Sequence, residues 1–267
     1  MTGESLSNTT ETLFEIQGSI AILTFNRPEA RNAMTWAMYE SLVETCDRVD
    51  ADSDLKLLML RGAGGKAFVA GTDIAQFQSF GAREDGVKYE ARLDAVLDRL
   101  ERVTKPTIAQ VQGVAVGGGC AIALVCDLRV ATPESTFGVP IARTLGNTLS
   151  AATCGRMLAL MGPSRFKELM FTGRLMTAAE LHTAGLVNRL AAASDIDSET
   201  MALATEIAAN APLTIRSIKE MTRRLLEKQR LSSDEERDLI ELCYTSADFR
   251  EGVAAFLEKR KPLWRGR

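Results

Sequence analysis

Gly113-Val114-Ala115-Val116-Gly117-Gly118-Gly119-Cys120-Ala121 is the stretch from which the fold is read. Its three consecutive glycines lie between the apolar run Thr107-Ile108-Ala109-Gln110-Val111 and the helix-like run Cys120-Ala121-Ile122-Ala123-Leu124-Val125. Glycines between a strand and a helix leave backbone N–H groups bare, with no Cβ to block a ligand. The helix N-terminus adds partial positive charge at the same place. N–H donors so placed can stabilise charge developing on a carbonyl oxygen, as in an oxyanion hole. The same turn serves equally well as a close-packing device, so it decides nothing by itself. A second turn of this kind, Ala70-Gly71-Thr72-Asp73, lies upstream.

Outward from these turns, strand and helix patterns alternate. Two short strands, Thr12 to Gly18 and Ser19 to Asn26, precede a helical pattern over Thr35 to Val49. Leu55 to Leu60 reads as a strand and Tyr89 to Val103 as an amphipathic helix with Leu93, Val96, Leu97, Leu100 and Val103 on one face. Asp127 to Ala131 and Thr136 to Phe137 are short strands. Helices follow over Leu149 to Met161, Ser164 to Thr172 and Thr177 to Ala184. Thr177-x-x-Glu180 and Ser233-x-x-Glu236 are capping-box patterns. Beyond residue 195 nearly everything reads as helix. The expected organisation is α/β, with a core over residues 11–195 and an all-helical region over 196–267.

The 267 residues are 46% hydrophobic and 25% charged, with a net charge of −3. That balance fits a folded globule and argues against nucleic-acid binding. No apolar run reaches the length of a membrane span. Met1 to Ser7 has no basic segment followed by an apolar one, so no secretory signal is expected and the cytoplasm is the expected compartment. Five widely spaced cysteines without a C-x-x-C pair fit reduced thiols. His182 is the single histidine, so no His-rich metal site is expected. Gly62-Ala63-Gly64-Gly65-Lys66-Ala67 lacks the hydroxyl residue that a phosphate loop needs after its lysine.

Five motifs appear in order: Asn26-Arg27-Pro28-Glu29-Ala30-Arg31-Asn32-Ala33-Met34, Phe68-Val69-Ala70-Gly71-Thr72-Asp73-Ile74, the glycine stretch, Cys126-Asp127-Leu128-Arg129-Val130-Ala131, and Phe256-Leu257-Glu258-Lys259-Arg260-Lys261. Together they resemble the enoyl-CoA hydratase/isomerase (crotonase) family, from about Leu13 to Trp264. The resemblance implies a spiral of ββα units and a helical C-terminal region that drives assembly into a homotrimer or a dimer of trimers. It implies an acyl-CoA substrate, no permanently bound cofactor and no metal. It also implies a lyase or isomerase class and a place in fatty acid metabolism.

The thioester oxygen would be held by the N–H groups of Thr72 and Gly118. Ala30, Arg31, Ala70, Asp73, Ile74 and Ala75 would line the CoA path, and Phe256 and Lys259 match tail positions that contact the CoA nucleotide, often that of a neighbouring subunit. Lys259 reads equally as a solvated helix face. The Asp73 side chain reads as a helix cap, and Asp127 as a turn-fixing residue.

The chain departs from the family's hydratases at two positions. Those enzymes carry one glutamate directly after the Gly-Gly-Gly-Cys run, where Ala121 stands here. They carry another after the Pro of a Phe-Gly-x-Pro segment, where Phe137-Gly138-Val139-Pro140 leads to Ile141. Neither alanine nor isoleucine moves a proton, so ordinary hydration is expected to be weak. The oxyanion half alone suits other reactions, including decarboxylation and thioester hydrolysis, or acyl-CoA binding without catalysis. Arg143 is a candidate for gripping a substrate carboxylate, or else a surface or intersubunit ion pair. Asn147 reads as the cap of a helix starting near Thr148, or else as a group that orients a water. A replacement carboxylate would come from Glu84, Asp85 or Glu90, in the stretch after Phe80 that supplies lids in this family.

Overall fold

The computed structural model describes residues 11–74, 77, 83–228 and 233–266. The expected CoA-path residue Ala75 lies outside them. In chain order the strands are β1 (Thr12–Gln17), β2 (Ile20–Phe25), β3 (Leu57–Gly62), β4 (Ala67–Ala70), β5 (Thr107–Val111), β6 (Val114–Val116), β7 (Leu128–Ala131), β8 (Thr136–Gly138), β9 (Met176–Thr177) and β10 (Arg189–Leu190). The helices are α1 (Trp36–Ala51), α2 (Arg83–Glu101), α3 (Gly118–Val125), α4 (Ile141–Thr144), α5 (Ala151–Thr172), α6 (Ala178–Thr183), α7 (Ile196–Ala208), α8 (Pro212–Glu227), α9 (Ser233–Tyr244) and α10 (Ala247–Leu257).

Among the described residues the strands form a large sheet, β1-β2-β3-β5-β7-β10, and a small one, β4-β6-β8-β9. The units β3-β4-α2, β5-β6-α3 and β7-β8-α4 repeat one plan. The first strand of each unit joins the large sheet, the second joins the small sheet, and a helix closes the turn. That is the ββα spiral. The strands entering successive turns pair in parallel, except the antiparallel pairs β1·β2 and β8·β9.

The large sheet is buried on both faces, which is why its central strands read as continuous apolar runs rather than alternating ones. Leu23, Phe25, Leu58, Leu60, Ala109 and Val111 face the main core with α1, α2 and α3. Ile20, Ile22, Leu57, Met59, Ile108 and Val130 face the other way, against Ile196, Leu203 and Ala204 of α7. The helical region therefore begins by covering the sheet.

Two expectations are corrected. The strand that enters the glycine turn is β6, not the run Thr107 to Val111, which pairs in the other sheet. The helix after Asn147 starts later, at Ala151, with the Ser150 hydroxyl as its cap, so Asn147 is not the cap. The Glu236 carboxylate accepts from the Ala151 N–H; the Ser233 side chain of the second capping-box pattern lies outside the described residues. The Thr177–Glu180 box forms as read. The break expected between Met161 and Ser164 is present at Gly162, whose backbone is non-helical ahead of Pro163.

Candidate active site

The parallel register of β4 and β6 sets the site. Val69 pairs with Ala115 and Ala70 with Val116, so the two glycine turns leave the small sheet side by side. Val116 pairs in turn with Gly138, which brings the segment Val139-Pro140-Ile141 alongside. Three strand ends thus open on one cavity of about 450 Å³.

Thr72 and Gly118 both line it. The flanking groups of Thr72 are engaged: the Met34 N–H donates to the Gly71 carbonyl at 2.9 Å and the Asp73 N–H to the Met34 carbonyl at 3.0 Å. The Thr72 N–H has no backbone partner among the described residues. Gly118 is the first residue of α3, so helix geometry leaves its N–H without an intrahelical acceptor. Gly117 precedes it at φ 56° and ψ −123°, a conformation that L side chains rarely adopt. At Gly118 a Cβ would lie 2.6 Å from the Tyr39 hydroxyl and 3.3 Å from Thr72 Oγ1. Only glycine lets these turns close together with two N–H donors on one wall.

Hydroxyls lock the turns. Tyr39 Oη and Thr72 Oγ1 share a 2.8 Å hydrogen bond, and Tyr89 Oη donates to the same Oγ1 at 3.1 Å. Burial pushes both phenols up, so they stay neutral hydroxyls. The mouth is set by Arg31 and Asn32, both left-handed at φ 52° and 57°. The buried Asn32 amide donates to the Ala63 and Ala67 carbonyls and accepts from the Arg27 N–H. This holds the Ala30–Arg31 backbone against β4, where the Ala70 N–H donates to the Arg31 carbonyl.

Of the residues read from the sequence, Ala30, Arg31, Ala70, Thr72, Asp73, Ile74, Gly118 and Phe256 come together on this cavity. Phe256 reaches it within its own chain. Lys259 is exposed past the end of α10 and does not line it. Arg143 is also exposed and outside the lining, which corrects its expected place. Ile141, Thr144 and Leu145 line the wall at i, i+3 and i+4, so residue i+2 falls on the opposite side of the turn. Asp127 accepts from the Thr107 N–H and hydroxyl and pairs with Lys219 at 2.6 Å, a turn-fixing role. His182 contacts the Val187 carbonyl from α6, outside the cavity.

Glu90 also lines the cavity, while Glu84 is exposed at the start of α2. The Glu90 carboxyl is buried; Tyr244 Oη donates to Oε1 and the Ser150 N–H donates to Oε2 at 2.9 Å. Burial outweighs these two donors and pushes its pKa up to about 8. Asn147, another lining residue, donates from Nδ2 to Tyr244 Oη at 3.1 Å, and its Oδ1 is buried without a hydrogen-bond partner. A sequence signal for Glu90 existed. It precedes Leu93, Leu97 and Leu100 by three, seven and ten residues, which puts a carboxyl on the apolar stripe of α2.

A second cavity of about 470 Å³ lies beside α8, with Arg129, Lys219 and Arg223 in its wall. Neither glycine turn reaches it. No group of three or more metal-ligating side chains occurs among the described residues, and no helix there is long and apolar enough to cross a membrane.

A model of the enoyl-CoA hydratase/isomerase family matches residues 15–267. A crotonyl-CoA hydratase of Syntrophomonas wolfei is 35% identical over 253 residues, covering 93% of this chain and 95% of that one. A short-chain-enoyl-CoA hydratase of Clostridium acetobutylicum is 33% identical over 250 residues, with the same coverage. Among solved structures, methylmalonyl-CoA decarboxylase complexed with 2S-carboxypropyl CoA superposes with a TM-score of 0.89 at 29% identity, over 97% of this chain and 100% of that one.

Proposed function

The chain belongs to the enoyl-CoA hydratase/isomerase family, and from that premise we propose that it is an enzyme that stabilises the enolate of an acyl-CoA thioester in the cavity bounded by Thr72 and Gly118. The observation that carries this reading is the pair of N–H donors on neighbouring strand ends. In that place they are worth most when negative charge grows on a carbonyl oxygen. The thioester oxygen sits between the two donors, and the CoA chain leaves past Ala30, Arg31 and Ile74 toward Phe256. CoA thioester is substrate here, with no resident cofactor.

Ordinary hydration of a short enoyl-CoA is weak in this reading, because Ala121 and Ile141 offer no acid or base at the two positions where the resemblance expects glutamates. Decarboxylation is a second reading, favoured by the close superposition on methylmalonyl-CoA decarboxylase: loss of CO₂ leaves an enolate without a base having to act. A homotrimer, alone or paired into a dimer of trimers, is part of the proposal. The exposed apolar side chains Leu213, Ile218, Met221 and Leu225 of α8 support it.

The test is a mass-spectrometric screen of the purified protein against enoyl-, 3-hydroxyacyl-, malonyl-type and aromatic CoA thioesters. Turnover of at least one thioester, with crotonyl-CoA hydrated at least tenfold more slowly than by a two-glutamate relative, is expected. Tight retention of thioesters with no mass change in any of them would replace the enzyme with an acyl-CoA binder.

A further inference from the structure

Among the described residues that line the cavity, two carry carboxyls, Asp73 and Glu90. Asp73 stands at the mouth, 3.8 Å from the Arg27 guanidinium. Glu90 lines the same cavity at 2% exposure, and its surroundings suit a group that exchanges a proton. Both oxygens are fixed, by the Tyr244 hydroxyl from α9 and by the Ser150 N–H at the start of α5. The same two donors would hold the ionised form after a proton leaves. The preceding residue, Tyr89, bonds the Thr72 hydroxyl, so one turn of α2 ties the carboxyl to the oxyanion wall.

We propose that Glu90 is the acid–base residue of this cavity, passing a proton to and from the α-carbon of the bound acyl-CoA, with Tyr244 as its positioning residue. The proposal rests on the enolate reading above. In the forward step the carboxylate takes the α-proton, the C–H electron pair forms the enolate C=C bond, and the thioester π pair moves onto the oxygen between Thr72 and Gly118. In the return step the Glu90 O–H bond breaks, the enolate pair makes the new C–H bond, and the thioester carbonyl reforms. No co-reactant is consumed.

The groups facing Glu90 are mostly acidic or neutral: Asp94 on its own helix, Glu236 and Tyr244 on α9, Tyr39 on α1 and Cys154 on α5. The nearby carboxylates raise its pKa in the same direction as burial. A carboxyl that is mostly protonated at neutral pH and ionises at about 8 lies close enough to the working pH to take a proton and give it back.

The experiment follows deuterium uptake at the α-carbon of butyryl-CoA in D₂O by mass spectrometry. In the wild type, exchange should rise with pH and level off above about 8, the value at which Glu90 ionises. Glu90→Gln should slow it by about 10²–10⁴-fold and abolish the rise, with butyryl-CoA affinity unchanged as the check on folding. Glu90→Asp should fall between the two. Tyr244→Phe removes a donor to the carboxylate and should move the rise to higher pH. Glu84→Gln, on the exposed start of the same helix, should change nothing. Glu90→Gln and Glu90→Asp both exchanging within tenfold of wild type, with the same pH profile, would overturn the role of Glu90 and leave the enolate reading standing. A wild type that exchanges no α-proton and turns over no thioester would defeat the enolate reading itself, and Glu90's role with it.

Discussion

Replacing Glu90 with glutamine keeps the shape of the buried carboxyl and removes its charge. The amide oxygen still accepts from the Ser150 N–H, and the amide nitrogen can donate to Tyr244 Oη, so both present contacts retain a partner. What changes is the linkage of folding to protons. Glu90 ionises at about 8 in the folded chain instead of at the ordinary 4.5. Between those values the native state holds a proton that the unfolded chain has released. The stabilisation is therefore full below about pH 4.5 and is lost as pH rises through about 8. At about 1.4 kcal/mol per unit the gap corresponds to something on the order of 3–5 kcal/mol. Glutamine loses nothing over that range. The unfolding free energy of Glu90→Gln, measured by urea denaturation from about pH 5 to about pH 9, should rise relative to wild type by an amount of this order. Asp94 and Glu236, also raised by burial, titrate in both proteins and largely cancel in the subtraction. A difference that stays flat within about 0.5 kcal/mol across the range would show that Glu90 is ionised at neutral pH, and the argument from its burial would be wrong.

Gly118→Ala puts a methyl 2.6 Å from the Tyr39 hydroxyl and 3.3 Å from Thr72 Oγ1. We expect a stability cost of about 1–3 kcal/mol from overpacking and a loss of about 10²–10³ in kcat on any responsive thioester; kcat within threefold of wild type would move the oxyanion hole elsewhere. Arg143→Ala should leave the preference between carboxylated and plain acyl-CoAs unchanged, because the side chain is outside the cavity lining; a tenfold shift in that kcat/KM ratio would return Arg143 to the site. Arg129→Met should lower stability by something on the order of 3 kcal/mol, read as a fall in Tm. It strips donors from the Ala123, Leu124, Cys126 and Leu186 carbonyls, and buried unpaired carbonyls are costly. An unchanged Tm would mean that these carbonyls find other donors.

The parts of the fold legible from sequence are those set by local chemistry. The helices of α1 and α2 show in their apolar spacing, and Thr177–Glu180 closes a box because both partners lie in one turn. The glycine turn after β6 is legible because glycine is demanded by the backbone there: Gly117 at its positive φ, Gly118 against the Tyr39 hydroxyl. What escaped depends on pairing between distant segments. β4 and β6 are four and three residues long, too short to show a period, and only their parallel register puts Thr72 beside Gly118. Asn147 read as a cap because it precedes a helix, but the cap is Ser150 and the Asn147 amide turns to Tyr244, 97 residues away. Arg143 read as a site residue because it follows Ile141 closely, yet on a helical turn Thr144 and Leu145, not the residue two along, share the face of Ile141.

Glu90 is the instructive intermediate. Its place on the apolar stripe was present in the spacing of Leu93, Leu97 and Leu100, but a stripe gives only burial. Whether a buried carboxyl is a folding defect or a working group depends on what meets it. Here the donors come from Ser150 and Tyr244, 60 and 154 residues further on. They satisfy the group without neutralising it with a cation, and the cavity reaches it from the other side. A buried carboxyl kept for structure alone would gain more from an arginine, as the Asp94 and Glu101 carboxylates do from Arg156. Those carboxylates, one and three helical turns further along α2, have the ion pair that Glu90 lacks among the described residues, and they do not line the cavity. The same helix thus separates carboxyls that fasten it to α5 from one that can exchange a proton.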